Sequence, residues 1–427
     1  MTVARPLRAL RYDTERVDLS RVIVPPYDVI ADDERGAFFD RDPYNAIRFE
    51  LTRDAGEEAA ADYGWIRETL DAWRAEGVLV QDETPAYYVM GQRYEAPDGQ
   101  RLERIGFFAE LGLAEYAERV VRPHERTLAG PRADRLKLLR AAEANLSTVF
   151  LLYEDRDDAL GPLLAEALES GDVANAVFGD VEYRLARLGD PTAVERVRAF
   201  MAARPSVIAD GHHRYETALE YRRQQVEAHG DDPDAPWQST IAYFANAWAK
   251  GSLLLPIHRV VRDVPAPTEA EWREKLSDWT IRELAAIDLD GVEGRLAAEL
   301  APLAGQPAFV AEAADGRTFI AHRDEPLGDE LMVRIIERDV LGGVFGLDPG
   351  AIRGGAVAFP KSARRAGQAV REGKGTVALY LNPLTPDDVF RATEAGEVMP
   401  QKSTFFHPKI PTGMVFRDHR PETFEGR

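Results

Sequence analysis

A short apolar segment, an Asp-Gly pair and a long helical pattern follow one another between residues 205 and 228. The segment PSVIA has the composition of a buried strand, and Asp210 with Gly211 supplies a sharp turn. In the residues after the turn, one helical face collects the apolar side chains Tyr215, Ala218, Leu219 and Val226. A strand that leads directly into a helix predicts a mixed α/β (α+β) fold.

The first turn of that predicted helix is basic, with His212, His213 and Arg214 in succession. Helix N-termini carry exposed N–H groups and a partial positive charge, so each cation there is disfavoured by roughly 0.3–1 kcal/mol. A bound anion resolves the conflict, with Asp210 as the N-cap and Gly211 letting a phosphate approach the backbone. In the alternative, one histidine packs in the core and Arg214 pairs with a surface carboxylate.

Three more of the eight histidines, His124, His258 and His407, each lie within five residues of an Arg or Lys. Basic clusters on an acidic protein favour an anionic ligand. The residues predicted to bind phosphate or substrate are Asp210, Gly211, Arg214, His124, Glu125, Arg126, His258, Arg259, Lys402, Ser403 and Lys409. Each histidine can equally be an ordinary core or surface residue.

Histidine and carboxylate side chains also suit zinc, manganese or iron, which makes a metal-dependent hydrolase an alternative. No HExxH motif or other closely spaced ligand pattern supports it, so no metal ligand is predicted. The residues that this alternative would use are His124, His212, His213, His258, Glu125 and Asp210.

Two loops complete the candidate site. In VPPYDVI (24–30) a double proline stiffens the backbone ahead of Asp28, which can act as a general base or only cap the turn. In MPQKSTFFHPKIPTGMVF (399–416), Lys402, Ser403 and Lys409 accompany two phenylalanines. That loop can form an anion pocket with an aromatic wall, or a surface loop beside a strand.

The overall charge restricts the partners. With 53 Lys and Arg against 73 Asp and Glu, the 427-residue chain has a net charge of −20, which repels nucleic-acid backbones and anionic membranes. The absence of cysteine excludes disulfides, thiolate metal sites and a cysteine nucleophile. The sequence has no signal-peptide pattern and no apolar run near the roughly 18 residues of a membrane span. We expect a cytoplasmic protein with a small anionic metabolite as ligand.

Local patterns predict several further elements. The first 55 residues hold short apolar pieces between Pro, Asp and Asn, which favours strands and tight loops over helices. A helix is predicted over 58–77, and Asp98 with Gly99 predicts a hairpin turn. The helix is expected to bury Tyr63, Ile66, Leu70 and Trp73.

The proline-bearing segment DVPAPT (263–268) is the best candidate for a domain boundary. After it, the patterns alternate between helix and strand. We therefore expect a larger phosphate-binding domain over 1–262 and a smaller α+β domain, inserted or appended, over 263–427.

Five segments together carry a family resemblance: VPPYDVI, RPHERT, IADGHHRYETAL, LPIHR and MPQKSTFFHPKIPTG. On these motifs the chain is identified as a member of the bacterial and archaeal domain-of-unknown-function 1015 family, with its HHR motif. The match runs from about residue 5 to residue 416. The family name by itself implies no activity.

The segment DGHHR (210–214) further resembles the phosphate-binding signature of the ParB and sulfiredoxin superfamily, especially its free-serine kinases. This resemblance implies a ParB/sulfiredoxin-like core in which the motif opens a helix and holds nucleotide phosphates. Sulfiredoxin chemistry is excluded, because it requires a cysteine in this motif. The residues that would contact phosphate are Gly211, His212, His213 and Arg214.

The same resemblance implies a phosphoryl-transfer enzyme that acts on a small hydroxy metabolite, with serine or phosphoserine preferred. Asp28, with Glu50 behind it, is the counterpart of the acidic base of those kinases, and His212 and His213 join Asp28 as catalytic residues. ATP or ADP with magnesium is the expected cofactor. Both a phosphoserine phosphatase and a nucleotide-dependent serine kinase fit, and the alternative from another class is a non-catalytic nucleotide- or metabolite-binding switch.

Overall fold

The structure, a computed structural model, describes residues 1–54, 56, 63–125, 129–400 and 402–420. Its strands are β1 (Ala4–Arg5), β2 (Leu10–Tyr12), β3 (Leu79–Gln81), β4 (Tyr87–Glu95), β5 (Arg101–Gly112), β6 (Val121–Arg122), β7 (Ala144–Asn145), β8 (Val149–Tyr153), β9 (Asp172–Phe178), β10 (Val181–Leu188), β11 (Ser206–Asp210), β12 (Ser239–Asn246), β13 (Leu253–Leu255), β14 (Arg259–Val261), β15 (Thr280–Leu284), β16 (Ala308–Ala313), β17 (Thr318–His322), β18 (Val357–Ala358), β19 (Val377–Leu381), β20 (Phe405–His407) and β21 (Arg417–Asp418).

The α-helices are α1 (Leu19–Val22), α2 (Arg35–Arg41), α3 (Ile47–Glu50), α4 (Gly64–Ala75), α5 (Ala129–Ala142), α6 (Gly161–Ser170), α7 (Pro191–Ala202), α8 (His212–His229), α9 (Glu269–Lys275), α10 (Val292–Leu300), α11 (Met332–Ile335), α12 (Pro349–Ala351), α13 (Ala363–Arg371) and α14 (Pro386–Glu394). Short 3-10 turns lie at Tyr116–Glu118, Pro236–Gln238 and Ala301–Leu303, and π-helical turns at Ile336–Val344 and Ile352–Ala356. None of the helices in the described ranges has both the length and the apolar character that a membrane crossing needs.

Among the described residues, nine strands form one sheet in the order β6-β11-β8-β12-β5-β4-β10-β9, with β1 beside β5. Strand β11 runs parallel to β6 and β12 runs parallel to β8, whereas the other neighbours are antiparallel. A second, antiparallel sheet has the order β15-β17-β16-β19-β14-β18. These sheets and their helices confirm the predicted mixed α/β class, while the ParB/sulfiredoxin-like topology of the core stays a prediction.

Both sheets are buried on both faces. Along β4, Tyr88 and Met90 belong to one hydrophobic cluster, whereas Tyr87 and Val89 belong to another. Side chains along a strand point to alternate faces, so the two clusters lie on opposite sides of the sheet. The second sheet is also covered on both sides, and its residues divide in the same way. We call the parts of the chain built on the first and second sheets the first and second lobes.

Residues 402–420, the returning segment, follow the second sheet in sequence but pack on the first lobe. Its strands β20 and β21 pair with β13 and β7, and the amide of Val24 donates to the carbonyl of Thr412 over 3.1 Å. The second sheet already begins at β14, ahead of residue 263. The division into domains 1–262 and 263–427 stays a prediction. The returning segment places residues 402–420 against the first lobe, although they follow the second sheet in the chain.

The prediction of strands and loops over the first 55 residues is wrong in part, because this region contains the short helices α1, α2 and α3. Local side-chain acceptors start two of them: Asp18 accepts from the amide of Ser20, and Asn45 accepts from the amide of Ile47. Such helices span only one turn, so they are too short to show a 3.6-residue periodicity.

Longer patterns are confirmed. Helix α4 lies within the predicted range, of which residues 58–62 lie outside the described residues, and it buries Ile66, Leu70 and Trp73. Strands β4 and β5 form the predicted hairpin, in which Gly99 has a φ of 81°. Strand β11, Gly211 and α8 follow in the predicted order.

A buried ion pair ties the returning segment to α4. The side chain of Asp418 is fully buried and accepts from Arg67 over 3.0 Å and from Arg74. Removing one member of a buried pair typically destabilises a protein by about 3–5 kcal/mol, because the partners stay buried without compensation.

We therefore expect Asp418→Asn to lower the free energy of unfolding by about 3 kcal/mol in urea titration. Glu195→Gln is the control, since Glu195 pairs with Arg198 on the surface and such pairs contribute little. Equal stabilities for the two variants would contradict a structural role for Asp418.

Candidate functional site

The turn between β11 and α8 is formed by Gly211, which has a φ of 89° and is the residue that caps the helix. The prediction that Asp210 is the N-cap is wrong. Asp210 is the last residue of β11, and its carboxylate accepts from Arg214 over 2.6 Å and from Lys409. These two ion pairs hold the carboxylate away from the helix amides.

Asp210, Arg214 and Lys409 form a largely buried ion triad, with side-chain exposures of 13%, 8% and 16%. Burial opposes ionisation of Asp210, but the charges of Lys409 and Arg214 outweigh it and hold the pKa of that carboxyl well below its usual range. Arg214 also donates to the carbonyl of Thr148. The triad is therefore charged at neutral pH and ties the turn to the returning segment.

His212 does not face the same way as Arg214 but packs edge-on against His124, with 4.7 Å between ring centroids. The Nδ1 of His124 lies 2.6 Å from the carbonyl of Ile208, so it carries the hydrogen, and Nε2 accepts from Thr404 over 2.7 Å. The amide of His124 donates to Nε2 of His212 over 3.3 Å. Burial lowers the pKa of both histidines, and the pair is neutral at neutral pH.

His213 is half-buried, and burial lowers its pKa while the charges of Glu216 and Asp28 oppose that shift. Asp28 is exposed after the double proline. Its charge also raises the pKa of Arg214 and opposes the lowering of the pKa of Lys361, so Asp28 lies near these cations. An exposed carboxylate among cations can accept a proton from a bound hydroxyl group.

Glu50, by contrast, is buried, and both oxygens of its carboxylate have hydrogen-bond partners. Its carboxylate accepts from Thr412 and, over 3.3 Å, from Arg135, which also donates to its backbone carbonyl over 2.8 Å. Burial raises the pKa of Glu50 against the opposing charge of Arg135. These contacts give Glu50 a role in holding the returning segment.

Two lysines lie against the ring of Phe405, and a third, Lys402, is close enough to act on one of them. The Nζ atoms of Lys361 and Lys409 lie 4.1 and 5.3 Å from the centre of its ring, and Lys402 acts on Lys361 through its charge. Desolvation lowers the pKa of Lys361, and repulsion from Lys409 and Lys402 lowers it further. Within the described part of the chain, neither Lys361 nor Lys402 has a carboxylate partner. We call Lys361, Lys402, Lys409 and Arg214 the cation cluster.

The sequence prediction missed Lys361. It follows Phe359 and Pro360 after the end of β18 in the second lobe and belongs to none of the sequence motifs of the candidate site. The sequence offers only a weak signal for it, a lysine in the loop between a strand and the start of α13. Many ordinary surface lysines lie in such loops. Arg104 holds the backbone directly before Lys409, since its buried guanidinium donates to the carbonyls of His407 and Pro408.

A cleft of about 1310 Å³ opens between the two lobes beside the cluster, and Lys361 and Lys409 line one part of it. His258 also lines the cleft, with Nδ1 accepting from the amide of Leu381 over 3.3 Å. Burial, followed by the charge of Arg259, lowers the pKa of His258 to about 3. His407 lines the cleft as well, and burial with the charge of Arg104 lowers its pKa to about 4.

The remaining predicted residues lie apart from this arrangement or outside the described residues. Arg259 is fully buried and donates to the carbonyl of Ile257, and it does not line the cleft. Ser403 is buried and donates to Pro400 over 2.6 Å, which is a local contact. Glu125 acts through its charge on His124 and His213. Arg126 lies outside the described residues.

Among the described residues, no three His, Asp or Glu side chains are arranged to hold a metal ion.

The neutral state of His258 predicts a pH dependence of stability. Below about pH 6.5 the unfolded chain protonates this histidine and the folded chain does not, so the free energy of unfolding falls by about 1.4 kcal/mol per pH unit. His258→Asn removes that contribution. Between about pH 7 and about pH 5.5, we expect the variant to lose about 1 kcal/mol less stability than the parent in urea titrations. Parallel profiles would contradict a neutral His258.

Comparison with known proteins gives weak structural likenesses and one family. A conserved hypothetical protein from Pyrococcus furiosus has 11% identity and a TM-score of 0.33, over 73% of this chain and 95% of that one. A free serine kinase in complex with ADP has 13% identity and a TM-score of 0.37, over 73% and 91%. SbnI from Staphylococcus aureus has 10% identity and a TM-score of 0.34, over 72% and 88%. Likenesses this weak establish neither a shared fold nor a shared activity.

No curated protein matches the chain. The model of the family described as "Protein of unknown function (DUF1015)" matches residues 4–331, which is more than half of the chain, and the protein therefore belongs to this family.

Proposed function

We propose that the protein is a phosphoryl-transfer enzyme that acts on a small hydroxy metabolite, with serine or phosphoserine as the preferred substrate and ATP or ADP as the nucleotide. The observation that carries the proposal is the surplus of positive charge in the cation cluster. Asp210 pairs with Arg214 and Lys409, whereas Lys361 and Lys402 have no carboxylate partner within the described residues, on a chain whose net charge is −20. A phosphate group is an anion that such a cluster would hold with charge-assisted hydrogen bonds.

Phosphoryl transfer requires little covalent chemistry from a protein, which must align donor and acceptor and neutralise the transferring group. Lys361, Lys402 and Lys409 would supply that neutralisation, and the triad of Asp210 with Arg214 would hold Lys409 in place. His213, whose pKa burial lowers, would lie beside the transferring group without adding positive charge. Asp28 would accept the proton of the attacking hydroxyl, since it is exposed beside the cluster.

The described residues do not build a magnesium site of their own. Both oxygens of Asp210 already accept from Arg214 and Lys409. Asp28, near the cation cluster, is then the carboxylate that could contact magnesium. Magnesium usually takes one or two carboxylates together with substrate phosphates. We therefore assign no protein step to magnesium and expect it to accompany the nucleotide.

A regulatory switch is the second candidate function. Lys361 belongs to the second lobe, whereas Lys409 belongs to the segment that returns to the first. A ligand that contacts both lysines would join the lobes and could change their arrangement without turnover. Binding alone, without transfer, would distinguish the switch from the enzyme.

Lys361→Met tests the binding site, because it removes a cation and leaves no carboxylate unpaired. A charge-assisted hydrogen bond contributes roughly 1.5–3 kcal/mol, so we expect the dissociation constant for ADP or phosphoserine to rise about tenfold or more in titration calorimetry. Lys374→Met is the matched control, since Lys374 pairs with Glu372 on the surface of the same lobe. An unchanged dissociation constant in Lys361→Met would move the phosphate site elsewhere.

Asp28→Asn tests the catalytic step. We expect turnover of serine with ATP or ADP, or of phosphoserine, to fall about a hundredfold or more while ligand affinity changes little, because general-base catalysis contributes in that range. Phosphorus NMR follows the transferred phosphate. Asp33→Asn, an exposed position five residues further on, should keep the parent rate. Equal rates in the two variants would remove Asp28 from the mechanism.

A further inference from the structure

The cleft between the lobes is larger than phosphate and a small hydroxy metabolite require. Its volume of about 1310 Å³ exceeds the roughly 300–1,000 Å³ typical of pockets for drug-sized ligands. The cationic side chains Lys361 and Lys409 line it. The rest of the cleft therefore has room for a larger organic group attached to the phosphate.

The walls of this remaining space are mostly apolar. Helix α10 and the turn after it contribute one wall, with Leu296, Ala297 and Leu300, and β13 contributes Leu253 and Leu255 from the other side. Polar side chains are interspersed among them, namely Gln100, Asp98, Asp180, Asn382 and Thr385. Several of these groups already have protein partners, since Gln100 donates to Asp98, Asn382 to the carbonyl of Leu300 and Thr385 to Asp388. Their remaining oxygen lone pairs can accept hydrogen bonds from a ligand that carries hydroxyl or amino groups.

His258 points to the same kind of ligand. It is 2% exposed and lines the cleft, and its Nε2 atom has no hydrogen-bond partner in the part of the chain that the structure describes. Because Nδ1 accepts from the amide of Leu381, Nε2 carries the hydrogen of the neutral ring. A buried donor without a partner is costly, and an oxygen or ring nitrogen of a ligand would satisfy it.

We propose that the cleft binds the body of a nucleoside phosphate, with the phosphates between Lys361 and Lys409, the base against the α10 wall and Nε2 of His258 donating to the nucleoside. This inference rests on the proposed function and narrows it, because it makes a nucleoside phosphate, rather than a small phosphorylated metabolite, the ligand that spans both lobes. His258 and His407 line the same cleft as neutral rings and add no positive charge to it.

Ala297→Trp tests this placement. Ala297 is exposed and lines the cleft, so the indole fills the space for the base without entering the hydrophobic core. Ala298→Trp is the matched control, since Ala298 is the next residue of α10, is exposed and does not line the cleft. Titration calorimetry with ADP and with pyrophosphate, which lacks a nucleoside, separates the two ends of the site.

We expect Ala297→Trp to weaken ADP about tenfold or more and to leave pyrophosphate unchanged, while Ala298→Trp binds both ligands like the parent. Parent-like ADP affinity in Ala297→Trp would overturn the placement of the base. If the parent protein bound pyrophosphate as tightly as ADP, the nucleoside inference would fail and the phosphate site would stand. If it bound neither ligand, the proposed function itself would fail.

Discussion

The carboxylate of Asp210 connects parts of the chain that lie 199 residues apart, since it accepts from Arg214 in the helix that follows it and from Lys409 in the returning segment. Buried charges are tolerated only when they are paired, so the three side chains fix one another's positions. The position of Lys409 against the ring of Phe405 depends on this triad, because Asp210 holds the Lys409 ammonium group.

The histidines of the site are neutral and the lysines are not, because burial and neighbouring charges act on side chains of different intrinsic pKa. His124 and His212 pack against each other and stay neutral, because ionising a buried imidazole costs solvation energy. The positive charge therefore comes from lysine and arginine, whose intrinsic pKa values are far higher. The histidines of the HHR motif shape the turn and offer hydrogen bonds, and they neutralise less anionic charge than their basic appearance in the sequence indicates.

Periodic patterns of ten or more residues were predictable. Helix α4, the β4–β5 hairpin and the β11–α8 unit follow from apolar spacing and from glycine at a turn. The one-turn helices α1 and α3 were not predictable in this way, since side-chain acceptors start them. The place of Lys361 in the site could not be predicted from the sequence, and neither could the hydrogen bonds of Glu50 with Arg135 and Thr412. Both depend on contacts between distant segments.

The sequence by itself determined that acidic and basic residues meet at a strand-to-helix turn, because Asp210, Gly211 and Arg214 are neighbours in the chain and local backbone preferences decide their positions. Only the tertiary structure decided which side chains are charged and which partners they have. Burial sets the ionisation of the histidines, and the path of the returning segment brings Lys409 to Asp210 and Lys361 to Phe405. Both are properties of the packed chain, and spacing along the sequence does not encode them.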